Sequence, residues 1–376
     1  MAKSILNNVI IKGVKTVVPE HYIDIDSELE FFDNNPKKLL RAKKMIGYGR
    51  RYLADEYTTV TDMAINAAEK LFSEMHYNRD KIELLIFVNQ KPDYMMPADA
   101  CLAHGCLNLN KDCAAIDIVL GCSGYVYALW AAMSLMQAGT IKSCLLLAGD
   151  IAAYKILREN RKVAQVFGDA ASATLLEYQE KSEPSYFVMG TDGKGWDKIV
   201  NPFGGIRLPL SEEELNSVVM DSANNPWNFR HGIIQGEDVF NFSTEVGTII
   251  INEILKYANT NVNEVDYFAI HQANKQIVDT IIEKVNIPKE KASSETFTKY
   301  ANNSTNSVVT VLCDQLKGKS VRKLVMCTFG VGLSWGCCLV DFRNVYNGGI
   351  STFIQTNKTP RQDQVKYWKN FYKGEK

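Results

Sequence analysis

Along this chain, short apolar runs alternate with segments whose apolar positions recur at helical spacing. Residues 84–88 (Leu-Leu-Ile-Phe-Val), 115–119, 144–148 and 172–176 are apolar runs of strand length, and 61–75 and 122–137 read as helices between them. The rhythm then recurs. Segments 265–270, 323–327 and 334–342 read as strands, interleaved with helices near 236–258, 273–285 and 304–316. Alternation of this kind predicts an α/β fold with helices layered on largely buried sheets. The two series share a landmark, because Val166-Phe167-Gly168-Asp169 and Cys327-Thr328-Phe329-Gly330 each place a glycine turn before a late strand. That points to a duplicated fold. The expected division is a first half at 1–180, a connecting strand and polar excursion at 181–235, a second half at 236–342 and an extension at 343–376. Between 201 and 232, Pro, Gly, Asn and an acidic cluster mark a long irregular excursion of the kind that forms binding loops or lids. The polar, aromatic tail after Phe342 is expected to be loosely packed at the surface.

Composition narrows the functional classes. With 376 residues, 46% hydrophobic and 23% charged, the chain can bury a large core. A formal net charge of −1 argues against nucleic acid or an anionic membrane as a general partner. The N-terminal residues lack the apolar core of a signal peptide, and the most apolar stretch, 125–136, is too short to span a bilayer. A cytoplasmic protein is expected. Nine cysteines are scattered through apolar runs, without the pairing of a zinc site or the density of a disulfide scaffold. No pair of histidines has metal-ligand spacing, and no metal is expected.

One cysteine stands apart by position. Cys122 lies in Ile118-Val119-Leu120-Gly121-Cys122-Ser123-Gly124-Tyr125, where a strand ends, a glycine permits a sharp turn and an apolar helix begins. Free N–H groups at a helix start favour a thiolate, so the residue is a candidate nucleophile, and a packed core thiol is the alternative. His271 follows the strand 265–270, where sites of open α/β folds collect, and it could donate to an oxyanion, accept a proton or merely cap the next helix. Asn302, in Lys299-Tyr300-Ala301-Asn302-Asn303-Ser304, precedes an apolar helix and could equally be a cap. Gly330-Val331-Gly332-Leu333 lacks dinucleotide and Walker spacing, and suits a turn that aims one backbone N–H into a cavity.

Taken in order, Gly121-Cys122-Ser123-Gly124-Tyr125, Phe167-Gly168-Asp169-Ala170-Ala171, His271-Gln272-Ala273-Asn274, Tyr300-Ala301-Asn302-Asn303-Ser304 and Phe329-Gly330-Val331-Gly332-Leu333-Ser334-Trp335-Gly336 resemble the motifs of β-ketoacyl-ACP synthase III enzymes of the thiolase superfamily. The resemblance runs from about residue 7 to 342. It implies a thiolase-like duplicated fold in five αβαβα layers, usually a homodimer, with a heterodimer also open. Cys122 would take an acyl group from acyl-CoA or an acyl-carrier protein, and the N–H groups of Cys122 and Val331 would hold the oxyanion. His271 and Asn302 would stabilise the enolate of a decarboxylating malonyl thioester. Met96 would reach toward a partner's acyl pocket, and Lys44, Phe240 and Asn274 would contact substrate. CoA or phosphopantetheine would enter as a thioester substrate, with no cofactor.

Departures from the resemblance bear on the substrate. No Trp stands in 39–47, and Lys44 falls where relatives carry a CoA-gripping Arg; Gln276 and Asn241 replace other frequent cations. These changes point to a specialised pathway rather than initiation of ordinary fatty-acid synthesis. An acyltransferase acting on a hydroxyl or amine uses the same cysteine and histidine and stays open, as does a non-catalytic heterodimer partner. The stretch Asn89-Gln90-Lys91-Pro92-Asp93 has no Glu where an HMG-CoA-synthase-like enzyme carries its catalytic one.

Overall fold

The computed structural model describes residues 1–153 and 156–375. Two sheets dominate it. The first has the order β11-β2-β6-β5-β3-β4, built from β2 (Val9–Pro19), β3 (Leu84–Asn89), β4 (Ala114–Val119), β5 (Ser143–Asp150), β6 (Ala170–Tyr178) and β11 (Tyr346–Phe353). The second has the order β1-β7-β10-β9-β8, from β1 (Ala2–Leu6), β7 (Ser185–Thr191), β8 (Tyr267–Ile270), β9 (Lys323–Gly330) and β10 (Ser334–Asp341). Each sheet mixes parallel and antiparallel pairs. β3 runs parallel to both β4 and β5, and β8 runs parallel to β9, while β5–β6 and β9–β10 are antiparallel.

Eight helices are used below: α1 (Pro36–Ile46), α2 (Val60–Met75), α3 (Asp99–Cys106), α4 (Gly124–Met136), α5 (Gly236–Tyr257), α6 (Lys275–Val285), α7 (Ser307–Gln315) and α8 (Arg361–Lys373). The buried clusters assign them to layers. α4 and α7 share one core with the facing sides of both sheets, through Leu129, Met133, Val308 and Leu312 with Ile86 and Leu146 on one side and Met326 and Val340 on the other. α2 and α3 cover the outer face of the first sheet, and α5 and α6 that of the second. The result is the five-layered αβαβα architecture expected. α4 is apolar all round because it meets sheet on both sides. Its few polar tips reach across: the Tyr125 hydroxyl bonds to Thr174 of the first sheet, at 3.0 Å, and Tyr127 donates to the Gly190 carbonyl of the second, at 2.9 Å.

The chain ends exchange sheets. β1 pairs with β7 in the second sheet, and β11 returns to pair in parallel with β2 in the first. The expectation of a loosely packed tail therefore fails for residues 346–353. Phe353 is buried in the outer core, and Ile350 packs on the central one. A buried lysine helps fix this strand, since the Lys15 ammonium donates to Glu74, at 2.7 Å, and to the Gly348 carbonyl of β11, at 2.9 Å. Branched and aromatic residues in 345–353 carry the strand signal, and its pairing partner lies more than 300 positions back in sequence. α8, in contrast, is exposed and touches the body where Trp368 meets Tyr94 edge-on. Among the described residues no helix is long and apolar enough to cross a membrane.

Truncation separates these two parts of the tail. Removing 358–376 should leave unfolding stability within ~0.5 kcal/mol, as for other surface changes. Removing 344–376 uncovers the edge of β2 and takes one partner from a buried ammonium, and should cost on the order of 3 kcal/mol or more. Urea unfolding of the two truncated chains measures the difference.

Candidate active site

Cys122 stands two residues before α4, where β4 has ended and the backbone turns toward the centre of the molecule. The second half meets it there. Gly330, at the end of β9, adopts φ 159°, and a Cβ on it would lie 2.7 Å from the Cys122 Cβ and 3.0 Å from the sulfur. No larger residue fits between nucleophile and turn. The turn is tied down by hydroxyls: Ser334 donates to the Val331 carbonyl, at 2.6 Å, and shares a 2.7 Å hydrogen bond with Ser123.

Part of Cys122 opens to a cavity of about 200 Å3 whose lining includes Gln90, Asp150, Phe167, Ile199, Ser304 and Val331. The excursion after β7 closes one side, because Ile199–Val200 pairs antiparallel with Ile233–Ile234 and all but Ile233 line the cavity. The sulfur itself is enclosed. Burial pushes its pKa up to about 11, while the Ser304 hydroxyl, 3.9 Å away, and the backbone N–H groups of Val331 and Cys122 pull it down. The expected net favouring of a thiolate is thus corrected: desolvation outweighs the N–H groups, and the resting group is a thiol.

His271 lies one residue beyond β8, its own N–H bonded to the Cys327 carbonyl at 2.8 Å and its ring edge-on to Phe329. It does not cap the following helix. Asn274 does, accepting from the Ile277 N–H at 2.8 Å. Burial depresses the His271 pKa to about 3, so the ring is neutral at physiological pH. Its Nδ1 has no hydrogen-bond partner among the described residues.

Asn302 is held by strained backbone. Ala301 and Ser304, both non-glycine, take φ 59° and 50°, a conformation costing ~1–3 kcal/mol each where it persists. Asn302 also bridges to the 166–168 segment, donating its N–H to Val166 and accepting from Gly168. Its side-chain oxygen accepts from the Ser304 N–H at 2.8 Å, a capping contact, and its NH2 donates to no group among the described residues. Ser304 therefore links Asn302 to the sulfur. His271 is linked through Phe329, the residue before Gly330.

Of the expected site residues, Cys122 and Val331 line the cavity; His271 and Asn302 lie outside its lining, as do Lys44, Phe240, Asn274 and Met96. Lys44 is exposed on α1, and Gly47, at the end of that helix, is close against Lys275. Phe240 is half-buried against the outer core of the second half. Met96 is 82% exposed, beside the start of α3, whose first N–H groups bind Asp117 of β4. Gln90, Asp150 and Ser304 were not anticipated. Gln90 and Asp150 carry the signal that marks His271, a polar residue where an apolar strand ends. No group of three metal-ligating side chains occurs among the described residues.

Two sheets around a buried helix pair, with a cysteine at the start of one of those helices, define a thiolase-type fold. Residues 116–193 match the family 3-oxoacyl-[acyl-carrier-protein (ACP)] synthase III, and 255–342 match its C-terminal part. A Campylobacter jejuni subsp. jejuni protein named as a 3-oxoacyl-[acyl-carrier-protein] synthase 3 is 35% identical over 92% of this chain and 97% of its own. A beta-ketoacyl-[acyl-carrier-protein] synthase III of Clostridium perfringens is 28% identical over 87% and 97%. The crystal structure of a 3-oxoacyl-(acyl-carrier protein) synthase from Burkholderia xenovorans superposes with a TM-score of 0.84, at 31% identity, covering 94% of this chain and 99% of that one. The chain belongs to the 3-oxoacyl-ACP synthase III family of condensing enzymes.

Two measurements follow from the buried pair. Alkylation of Cys122 by iodoacetamide, mapped by mass spectrometry, should be slow at neutral pH and rise with pH toward about 11, while exposed Cys101 and Cys106 react first. For His271 the folded pKa lies below the unfolded one, so acid favours the unfolded chain. Stability should fall between pH 6.5 and about 3, by at most ~1.4 kcal/mol per pH unit. His271→Gln removes this contribution, so urea unfolding across that window should show the variant gaining on the wild type as pH drops.

Proposed function

We propose that the chain catalyses decarboxylative condensation through an acyl group carried on Cys122. The observation that carries this is the convergence on one sulfur, at the inner wall of a cavity, of the Cys122 and Val331 N–H groups from different halves of the chain. Attack on an acyl thioester forms the Cys122 thioester and breaks the bond to the donor's sulfur. The thiol proton leaves with the donor thiol, and His271, neutral at physiological pH, is the group assigned to carry it. The N–H groups of Cys122 and Val331 take the charge that develops on the acyl oxygen.

A malonyl thioester then loses CO2. The electron pair left on its carbon is delocalised onto the thioester oxygen, to which His271 and the free NH2 of Asn302 donate. A neutral histidine suits this role, since it presents an N–H without carrying a charge into a dry site. The carbanion attacks the acyl-enzyme, the β-ketoacyl thioester departs, and the cysteine sulfur leaves as a thiolate that takes up one proton from solvent. Two-step covalent catalysis of this type needs no metal. The thioesters are expected on CoA or a carrier protein, with a homodimer or heterodimer as the working unit and the cytoplasm as the setting. Lys44, Gln276 and Asn241, in place of cations frequent in relatives, support a specialised pathway. Lys44, Phe240 and Asn274 then contact the donor's carrier arm, and Met96 a partner subunit's acyl pocket.

Asn302→Asp separates the two half-reactions. It keeps the acceptor for the Ser304 N–H and removes the NH2 donor. Intact-mass acylation of Cys122 should persist, while release of CO2 from malonyl thioester falls ~100- to 1000-fold. Cys122→Ala should lose acylation entirely. Equal loss of both steps in Asn302→Asp would overturn the assignment of Asn302 to decarboxylation.

A further inference from the structure

The cavity beside Cys122 is walled mostly by apolar side chains, but next to the nucleophile it carries a fixed polar group. The Gln90 side-chain nitrogen donates to Asp150 Oδ2, at 3.1 Å, and to Ser304 Oγ, at 2.8 Å; the Gln90 backbone N–H donates to Asp150 Oδ1, at 3.2 Å. Asp150 is buried, which raises its carboxyl pKa while the Ser304 and Gln90 hydrogen bonds lower it, and the amide nitrogen of Gln90 is the atom that faces it. The carboxamide is thus turned with its nitrogen to Asp150 and Ser304. Its oxygen is turned the other way, toward the nucleophile loop, where a Cβ on Gly121 would stand 2.6 Å from it. This oxygen accepts no hydrogen bond among the described residues, and Gln90 and Cys122 line the same cavity.

We infer that the acyl group carried on Cys122 is short and bears a hydroxyl, and that Gln90 is the residue that selects it. This rests on the reading of Cys122 as the acyl acceptor. A saturated acyl chain lying against Gln90 would strip water from the carboxamide oxygen and leave the acceptor unsatisfied. A hydroxyl on the chain donates to that oxygen. The acceptor cannot turn away to avoid an apolar chain, because both donors of the same amide are engaged. Size points the same way. At about 200 Å3 the cavity is smaller than the ~300–1,000 Å3 typical of sites for drug-sized ligands, which favours a short acyl group. Discrimination of this kind is asymmetric: a site built to bind a hydroxyl rejects the analogue lacking it more strongly than an apolar pocket rejects an added hydroxyl.

The test is the rate of Cys122 acylation, followed by intact mass on the full chain, with butyryl-CoA and with its 2-, 3- and 4-hydroxy derivatives. One hydroxy isomer should acylate about tenfold faster than butyryl, in kcat/KM. Gln90→Met, of similar volume and without the acceptor, should bring that ratio to one or below. Both thioesters are compared within each variant, so a general loss of fold or of acylation cancels from the ratio. Should the variant fail to fold, the wild-type ratio alone decides. Butyryl reacting as fast as every hydroxy isomer in the wild type, or an unchanged ratio in Gln90→Met, overturns the inference and leaves Cys122 as acyl acceptor intact. Failure of these and of acetyl-CoA to label Cys122 at all would overturn that underlying reading, and the inference with it.

Discussion

Burial of α4 between two sheets is the constraint from which the rest of the site follows. The helix has no charged side chain, and eight of its thirteen residues are buried. Each fully buried large apolar side chain contributes roughly 1.5–3 kcal/mol, so the central layer is the region the fold can least easily rearrange. Its N-terminus is then placed at the meeting of the two halves, on the wall of the cavity. Cys122 stands there because the strand-to-helix turn is there, and the Gly330 turn approaches because β9 ends at the same level. The N–H groups of Cys122 and Val331 that act on the sulfur are consequences of two strands ending opposite one buried helix.

Such a location sets an electrostatic problem. Desolvation holds both the thiol and the imidazole in their neutral forms, with the cysteine pushed up to about 11 and the histidine down to about 3. Asp150, on the far side of Ser304, raises the cysteine further. Dipoles rather than charges are left to do the stabilising: backbone N–H groups, the Ser304 hydroxyl and the Asn302 amide. Fixed dipoles stabilise charge where and when it develops, which suits the condensation proposed above. The strained backbone at Ala301 and Ser304 belongs to the same design, since it holds the Asn302 loop against the 166–168 segment.

The second half-site is built by exchange. β1 and β11 each cross to the sheet of the other half, so neither sheet is complete without a distant end of the chain. This couples the halves covalently on both flanks, while the hydrogen bonds of Ser123 with Ser334 and of Asn302 with the 166–168 backbone couple them at the centre. The excursion after β7 then needs to supply little more than a wall, and its short ladder at Ile199–Val200 and Ile233–Ile234 does so.

Much of this architecture is local information. The strands at 84–89 and 143–150 are apolar because both faces are covered, and α4 is apolar all round because it meets two sheets; both patterns are read directly from residue order. Cys122, His271 and Asn302 were legible as polar or reactive groups at the ends of such elements. What residue order alone leaves open is whatever depends on distant neighbours. The strand at 346–353 is decided by pairing with β2 and by the Lys15 ammonium, and no nearby residue announces either. The ionisation of Cys122 depends on how completely both halves enclose it, and helix-start chemistry read without that enclosure gives the wrong direction. The orientation of Gln90 is decided by Asp150 and Ser304, 60 and 214 positions away. Periodicity reports which face of an element is dry; burial depth and hydrogen-bond partners are properties of the packed whole, and only the tertiary structure decides them.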